Sequence, residues 1–576
     1  MVQKQLMTSA MLQWQVGEWQ KLSQIAYDDL HTDNERTRIA LMVATAWLQL
    51  GERSKAKEAL IWAQEFGATK EQIAEQMISS VYNTLGRART INKDAEKAYE
   101  HFKDALMYGA AETEQSLALQ LRVNEQCSQL GLSEKSEVMR GRSQLIKASA
   151  KVISQHNLGD AWAGNTVNTV IFRHHGIFTW NHFQYTAFYV NETILRVVQR
   201  NLIDNSIVTS DVEGTYNLKD AHNSISLGID RAGHIHMSYD HHGTKLRYRR
   251  STMPEEISTW SDELPMTGKN EEKVTYPTFI LPTNDEPLLI LYRDGNWKQG
   301  SAYIKSYDEA SAQWSDYEKP ILSGADQKPW TSNAYWNHPV TAKDGTLHIS
   351  YVWRTDYFSE KKLVSNINIG YARSYDRGQS WVTSQGHPYT LPITQVNSEV
   401  VWPIAPGSNL INQTSMALDS KNHPHIVFYA DDENGVPQYQ HVWFDGKKWQ
   451  QSYASKRTEP FILSGGGTLQ IPISRPDIVI DEHDNVFMIH RGKETQERMA
   501  ATFLPAPHYV YSTENRLILH DEFVGYAEPI IDRVRWEREK VLSVLLQYNE
   551  QPNGDIFHND SMSKVTLLDI TFEVNK

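Results

Sequence analysis

The sequence predicts two domains of different class: an α-helical domain over residues 1–147 and an all-β, seven-bladed β-propeller over residues 148–576. Three observations support this division. The chain has 576 residues, more than one ordinary hydrophobic core accommodates. Its hydrophobic period changes from helical to strand-like near residue 150. A strand-and-turn unit then recurs seven times, as expected for a repeat architecture.

Apolar residues three and four positions apart predict the helices of the first domain. The pattern covers residues 35–51, 54–67 and 93–109, and these segments end in glycines that suit a helix C-cap, Gly51, Gly67 and Gly109. The succession of helices resembles tetratricopeptide hairpins. We expect a packing or oligomerisation domain, with binding of a protein partner as the alternative.

The recurring unit of the second domain is a turn followed by a short apolar strand that ends in an aromatic residue or a histidine. Its anchors are Tyr189, Tyr239, Tyr292, Tyr351, Tyr429, His490 and Tyr548. Successive anchors are 50 to 78 residues apart. This spacing fits one four-stranded blade with loops of variable length. Two β-sandwiches are the alternative, but seven blades fill the rest of the chain better.

The segment SYDRGQSW (374–381) supports the propeller independently. Ser374, Asp376, Gly378 and Trp381 have the S-x-D-x-G-x-x-W spacing of an Asp box. We expect a hairpin in which the aspartate ties the turn backbone and the tryptophan plugs between strands. The motif is structural and typical of sialidase-like and related propellers.

Composition excludes some classes of partner. The net charge of -13 disfavours nucleic acid, whose phosphates need a basic surface. The 17 Trp and 27 Tyr supply flat surfaces for sugar rings. The single cysteine, Cys127, excludes an intramolecular disulfide. Neither a membrane span nor a standard signal segment is evident. We therefore expect no membrane insertion and a cytoplasmic location, with a periplasmic or secreted location by another route as the alternative.

Histidines are concentrated in AHNSISLGIDRAGHIHMSYDHHGTKLRYRRS (221–251). Five of the 22 histidines lie between positions 222 and 242. The segments TYPTFI (275–280) and LLILYRDGNW (288–297) then add Tyr276, Tyr292 and Arg293. Histidine and tyrosine commonly transfer protons, and a guanidinium suits a carboxylate. His234 and His236 alternate with apolar residues, so we expect them to pack inside a blade.

These segments, with NLINQTSMALD and PHIVFYADDENGVPQYQHVWFDGKKW further along, resemble the BNR-repeat family of propellers, which includes ulvan lyases. The resemblance covers about residues 160–560 and is strongest over 221–251. It implies a polysaccharide lyase that cleaves a uronic-acid-containing polymer, sulfated or not, by β-elimination. It also assigns His222 and Tyr276 as base and acid, with the two roles open to exchange. It makes Arg293 the neutralising cation and His242 the second active-site histidine.

This reaction accounts for the residue types. β-Elimination removes the C5 proton of a uronate and expels the C4 oxygen, so it needs a base, an acid and a cation beside the carboxylate. We expect further side chains along the substrate groove: Asn223, His241, Tyr292, Asn337, His338, Arg354, Asn412, Gln413 and His425. For the amides, the alternative is that they fix loops by bonding to the backbone.

The chemistry requires no cofactor and no catalytic metal. H-x-H at 234–236 and D-H-H at 240–242 are candidate ligand pairs for a structural Ca²⁺ or Zn²⁺, although no third ligand follows at a fixed spacing. Two other functions stay open. One is a noncatalytic glycan-binding or scaffold propeller. The other is a sialidase-like glycoside hydrolase, for which the sequence shows no evident arginine triad with a Tyr–Glu pair. In each case the expected partner is an acidic polysaccharide or oligosaccharide.

Overall fold

The structure is a computed structural model that divides into two compact units, one of residues 1–146 and one of residues 147–575. It describes residues 2–30, 35–92, 94–109, 115–132, 146–283, 285–324, 332–355, 363–412, 414–554 and 560–575. Within these ranges, no helix combines the length and the apolar character that a membrane crossing requires.

The first unit is helical, as the apolar spacing predicts. Its α-helices are α1 (Val2–Val16), α2 (Trp19–Leu22), α3 (Arg36–Gln49), α4 (Arg53–Glu65), α5 (Lys70–Ile91), α6 (Ala95–Gly109) and α7 (Gln115–Gln129), with a 3₁₀ turn at Tyr27–Leu30. Gly51 and Gly67 follow the ends of α3 and α4 with φ of +83° and +92°, the left-handed conformation of a glycine C-cap. The tetratricopeptide resemblance of this unit stays a prediction.

A buried arginine lies in the core of the helical unit. The guanidinium of Arg122 lies over the rings of Trp14 and Trp19, 5.1 and 4.8 Å from their centroids. It also donates a hydrogen bond of 2.9 Å to the side chain of Asn83. These contacts satisfy a cation that would otherwise be costly to bury.

The second unit is a propeller of seven antiparallel sheets, and the prediction of seven blades is confirmed. The first three blades contain β2 (Ile177–Trp180), β3 (Phe183–Asn191), β4 (Ile194–Asn201) and β5 (Ile207–Glu213); β6 (Ser226–Ile229), β7 (Ile235–Ser238) and β9 (Tyr248–Arg250); and β10 (Val274–Ile280), β11 (Leu289–Gly295), β12 (Gly300–Asp308), β13 (Gln313–Asp316) and β14 (Leu322–Ser323). The short strand β8 (His242–Thr244) leaves the second blade and pairs with β10 of the third.

The remaining four blades follow in chain order. They contain β15 (Ser332–Trp336), β16 (Val340–Thr341), β17 (Leu347–Thr355), β18 (Asn366–Ser374) and β19 (Val400–Trp402); β20 (Ser415–Leu418), β21 (Pro424–Asp431), β22 (Pro437–Phe444) and β23 (Trp449–Tyr453); β24 (Asp477–Ile480), β25 (Val486–His490), β26 (Ala500–Leu504) and β27 (Arg516–Ile518); and β28 (Ile530–Ile531), β29 (Leu542–Gln547) and β30 (Met562–Asn575). A short helix, α8 (Arg533–Glu539), precedes β29.

The ring is closed by the two ends of the unit. Strand β1 (Lys147–Trp162) is the outer strand of the last blade, where it pairs antiparallel with β30 from Lys147 opposite Asn575 to Trp162 opposite Met562. A sheet shared between the first and last segments leaves no open blade at the junction.

The Asp box forms the expected turn. The hydroxyl of Ser374 donates to Asp376 at 2.7 Å and accepts the N–H of Gly378 at 2.7 Å. Gly378 has a φ of +96°, which an L side chain rarely adopts. The buried indole of Trp381 donates to the carbonyl of Gly378 at 3.0 Å.

Candidate active site

A cleft of about 530 Å³ in the propeller contains the main candidate residues. All four predicted catalytic side chains, His222, His242, Tyr276 and Arg293, line it. Arg354 and Asn412, predicted to bind substrate, line it as well. A volume of this size is typical of ligand pockets. The structure therefore brings the proposed reactive groups into one place.

Strand register explains how three of these residues meet. Thr275 of β10 lies opposite His242 of β8 on one side and opposite Arg293 of β11 on the other. Neighbouring strands are about 4.8 Å apart, so His242 and Arg293 lie in one row across the sheet. Tyr276 follows Thr275 directly.

Tyr276 has an unusual backbone. The pairing of β10 with β11 shifts between Thr275 and Thr278, and Tyr276 has a φ of +58°. Such a conformation is strained for a bulky side chain, and strain of this kind concentrates at functional sites. The bulge displaces Tyr276 from the regular alternation of the strand and places its ring in the cleft wall.

A carboxylate that the sequence analysis did not single out holds the two histidines. Oδ1 of Asp220 is 2.6 Å from Nδ1 of His222 and accepts the backbone N–H of His222 at 2.9 Å. Its Oδ2 bonds to Nδ1 of His242. Burial alone would raise the pKa of Asp220, but its bonds to His222 and His242 hold that pKa well below the usual range. The carboxylate is thus ionised and engages both Nδ1 atoms.

The histidine rings are stacked as well as bridged. The ring of His222 lies 4.0 Å from that of His242, with 18° between the planes. It is also stacked on Phe172 at 5.6 Å. The hydroxyl of Thr468 also lies 3.3 Å from Nδ1 of His222. Because Asp220 engages both Nδ1 atoms, we infer that Nε2 is the atom of each ring that serves for proton transfer.

Arg293 is buried without a counter-ion among the described residues. It is 3% exposed, and its Nε and Nη1 atoms have no hydrogen-bond partner in the described part of the chain. Its guanidinium lies 5.1 Å from the ring centroid of Tyr276 and 5.6 Å from that of Tyr335. A buried unpaired cation is costly, so this arrangement suits an anionic ligand that completes the pair.

The other two arginines of the cleft are already bonded. Arg475 forms a buried pair with Glu528, with 2.8 Å between Nε and Oε1. Arg354 donates to Asn366 at 2.6 Å and to Asn412 at 2.7 Å. Arg293 therefore differs from both of them in its open hydrogen-bonding positions.

The surroundings of Tyr276 determine its protonation state. Burial and the neighbouring Tyr335 raise the pKa of Tyr276 above its usual value, and three nearby guanidinium groups do not reverse the shift. The phenol consequently keeps its proton at neutral pH and is suited to donate it.

Six predicted substrate-binding residues do not line this cleft, because their side chains are engaged elsewhere in the fold. They are Asn223, His241, Tyr292, Asn337, His338 and His425. Gln413 lies outside the described residues.

Two of these six are chain neighbours of cleft residues. His241 is buried, with Nε2 3.1 Å from the hydroxyl of Ser238, and burial lowers its pKa to about 4. Tyr292 is buried in a hydrophobic cluster behind β11. Tyr292 and Arg293 are successive residues of β11 and therefore point to opposite faces, whereas His241 directly precedes His242, the first residue of β8.

The polar partners of the other four are internal. Asn223 donates to the carbonyl of Asn217 at 2.7 Å, and Asn337 donates to Ser350 at 2.9 Å and accepts the N–H of Thr414 at 2.6 Å.

Two of the four are histidines paired with other histidines. Nδ1 of His338 lies 3.0 Å from Nδ1 of His174, and Nδ1 of His425 lies 2.9 Å from Nε2 of His441. Burial lowers the pKa of each, which keeps these rings neutral.

Within the described residues, one group of three metal-type ligands has its atoms close together: Asp220, His222 and His242, within 4.8 Å of one another. Of the two predicted ligand pairs, His234 and His236 do not belong to this group, whereas His242 of the second pair does. His234 bonds to the carbonyl of Ser251 at 2.9 Å, and His236 lies 3.1 Å from Asp230. A structural metal ion stays a prediction.

The comparisons with known proteins agree with this fold. Residues 183–457 match the sequence profile of the BNR repeat-containing family, which confirms the predicted resemblance to BNR-repeat propellers. Among individual proteins, the ulvan lyase of Alteromonas sp. (strain LOR) is 20% identical over 262 residues. That alignment covers 40% of this chain and 52% of the enzyme, so the chain matches about half the length of this relative.

Two solved structures are similar to this chain over most of its length. The polysaccharide lyase Uly1 aligns with a TM-score of 0.54 and 16% identity, over 73% of this chain and 99% of its own. A PL25 ulvan lyase bound to -[GlcA(1-4)Rha3S]- aligns with a TM-score of 0.51 and 13% identity, over 71% of this chain and 95% of its own. At these identities the likeness establishes the fold.

Proposed function

We propose that the protein is a polysaccharide lyase that cleaves a uronic-acid-containing polysaccharide by β-elimination. The observation that carries the proposal is Arg293, a buried guanidinium with open donors beside a tyrosine and a carboxylate-bridged histidine pair. The low-identity match to an ulvan lyase and the shared fold support the same class.

In this mechanism Arg293 binds the uronate carboxylate and neutralises the negative charge that develops as the C5 proton leaves. His222, held by Asp220, takes that proton on Nε2. The electron pair forms the C4–C5 double bond, and the bond from C4 to the glycosidic oxygen breaks. Tyr276, which keeps its proton in this environment, donates it to the leaving oxygen.

The lining of the cleft favours elimination over hydrolysis. Most glycoside hydrolases use a pair of carboxylates that flank the scissile bond. None of the described residues that line the cleft is an aspartate or a glutamate. Arg293, Arg354 and Arg475 are together in the cleft, but no carboxylate accompanies Tyr276 among these lining residues, as sialidase chemistry would require.

A panel of uronate polymers tests the proposal. The unsaturated uronate produced by elimination absorbs in the far ultraviolet, so we expect absorbance to rise with at least one polymer. The same polymer with its carboxyl groups reduced should be inert, because it offers Arg293 no anion. Binding of a polymer without this product, across the panel, would instead support a noncatalytic glycan-binding propeller.

A further inference from the structure

Two features of the cleft are not used by the elimination chemistry: the exposed indole of Trp297 and the glycine run Gly465–Gly467. We infer that they bind the sugars that flank the reacting uronate, so that the site selects an oligosaccharide chain and not a single sugar. This inference rests on the proposed function and deepens it. Trp297 supplies a stacking surface, and the glycine run leaves room for the chain.

Trp297 lies in a turn that a side chain fixes by hydrogen bonds. It lies between β11 and β12, four positions after Arg293, and its side chain is 48% exposed. Oδ1 of Asn296 accepts the N–H groups of Lys298 and Gln299 at 2.8 and 2.9 Å. These bonds order the backbone beside Trp297 before any ligand binds, which lowers the entropy cost of ordering the turn on binding.

The chemistry around Trp297 fits an acidic sugar chain. An indole offers a flat apolar surface to the C–H face of a pyranose ring. The ammonium group of Lys298 lies 4.9 Å from the indole centroid and places a positive charge beside that surface. An exposed tryptophan in a cleft that also contains an open guanidinium is explained by a ligand with both an apolar face and negative charges.

The glycine run lies close to His222, another group of the proposed mechanism. Thr468, which follows the run, places its hydroxyl 3.3 Å from His222 Nδ1. Gly465 and Gly467 have φ of +110° and +72°, so their conformations favour glycine. Gly466 is different, because its φ is not in that region and an added Cβ would meet no atom within 4 Å. Packing within the described residues does not demand glycine there, whereas a substrate lying against the backbone does.

The test measures affinity as a function of chain length, with uronate oligosaccharides from disaccharide upward, in a His222→Ala parent whose turnover is slow compared with the titration. We expect Trp297→Ala to weaken binding of the longer oligosaccharides about tenfold and to leave the shortest unchanged. Trp297→Phe should restore most of the loss, since the ring remains. Gly466→Leu should likewise weaken only the longer ligands, with the thermal midpoint unchanged.

The matched control is Tyr375→Ala, which removes an aromatic side chain that is 65% exposed and does not line the cleft. It should bind every oligosaccharide as the parent does. In the active protein, Trp297→Ala should raise KM for polymer and leave kcat nearly unchanged, as expected for uniform binding.

Equal affinities of Trp297→Ala and its parent at every length would overturn the inference, and so would an equal loss at every length. The two proposals fail separately. A length-dependent loss in a protein that never forms unsaturated product would retain the flanking sites and reject the lyase. A parent that binds no uronate oligosaccharide would reject both.

Discussion

Two buried charges of the propeller have opposite surroundings. At the junction that closes the ring, Asp569 of β30 pairs with Arg200 at 2.8 Å and with Arg535 at 2.6 Å. In the cleft, Arg293 has no ion pair among the described residues and contacts the face of Tyr276. Both groups are 3% exposed or less. The carboxylate at the junction is fully paired by its neighbours, whereas the guanidinium in the cleft has donors without a partner among the described residues.

Substitutions can distinguish these two kinds of charge, because one should affect stability and the other activity. Removing one partner of a buried ion pair strongly destabilises the fold, because the other charge is left buried and unpaired. Arg293 has no ion-pair partner among the described residues that its removal would leave unpaired. Its removal should therefore affect the reaction and leave the stability of the fold largely unchanged.

His222→Ala and Tyr276→Phe should each lower kcat by about 10²- to 10⁴-fold, because each group is proposed to move a proton in the transition state. Initial rates of unsaturated product measure the effect. Circular dichroism and the thermal midpoint serve as controls for folding. Wild-type kcat in either variant would remove that residue from the mechanism.

Arg293→Ala should lower kcat/KM by about 10²- to 10³-fold, as for the loss of one group that stabilises developing charge. Arg293→Lys should recover little, since an ammonium lacks the planar pair of donors. The thermal midpoint should stay the same or rise. A large fall in stability with normal activity would show that Arg293 stabilises the fold, as Asp569 does, and would contradict its role in the reaction.

Asp220→Asn should lower kcat by about 10- to 100-fold, because the amide removes the negative charge that orients both histidines. The effect should be on proton transfer, so the pH profile of kcat should move as well. Asp220→Glu, which keeps the charge, should recover part of the activity. A change in KM alone, with an unaltered pH profile, would contradict the orienting role.

Asp569→Asn should lower the free energy of unfolding by about 2 to 3 kcal/mol at neutral pH. Burial raises the pKa of Asp569, but its bonds to Ser154, Ser543 and Arg535 outweigh burial and lower the pKa to about 2. The depressed pKa adds stability above the unfolded value of about 4, and this stability is lost as pH falls from about 4 towards 2.

Urea unfolding of wild type and Asp569→Asn at several pH values measures this contribution. The difference between the two proteins should shrink as the pH falls through that window, while kcat of the folded variant stays near wild type. A pH-independent difference would show that charge is not the cause.

The fold is largely predictable from the sequence because a blade repeats. Each blade has to bury the same inner strands, and so the apolar strand that ends in an aromatic residue or a histidine returns seven times. Tyr189, Tyr292, Tyr351 and Tyr429 all lie in such strands and are fully buried. The sequence pattern therefore reflects the packing inside each blade, and this packing is the feature that repeats.

The candidate site is only partly predictable. A single sequence does not show which side of the sheet a side chain points to, or which residues far apart in the chain meet in the fold. His241 and His242 are adjacent, yet one is buried and one is exposed in the cleft, and the strand pattern does not say which. Arg475 and Glu528 form a pair across 53 positions without a local signal. Asp220 had a weak signal, since an aspartate two positions before His222 can cap the turn that carries it.

The mass balance of one cleavage, followed in water labelled with oxygen-18, distinguishes a lyase from a hydrolase. Wild-type protein and Arg293→Ala are incubated with a defined uronate oligosaccharide, and the products are weighed by mass spectrometry. Our account predicts fragments whose masses add up to the substrate, no label from water, one fragment with a C4–C5 double bond, and a rate at least about 10²-fold lower for Arg293→Ala. Fragments that together contain one added labelled water would contradict it and make the protein a hydrolase.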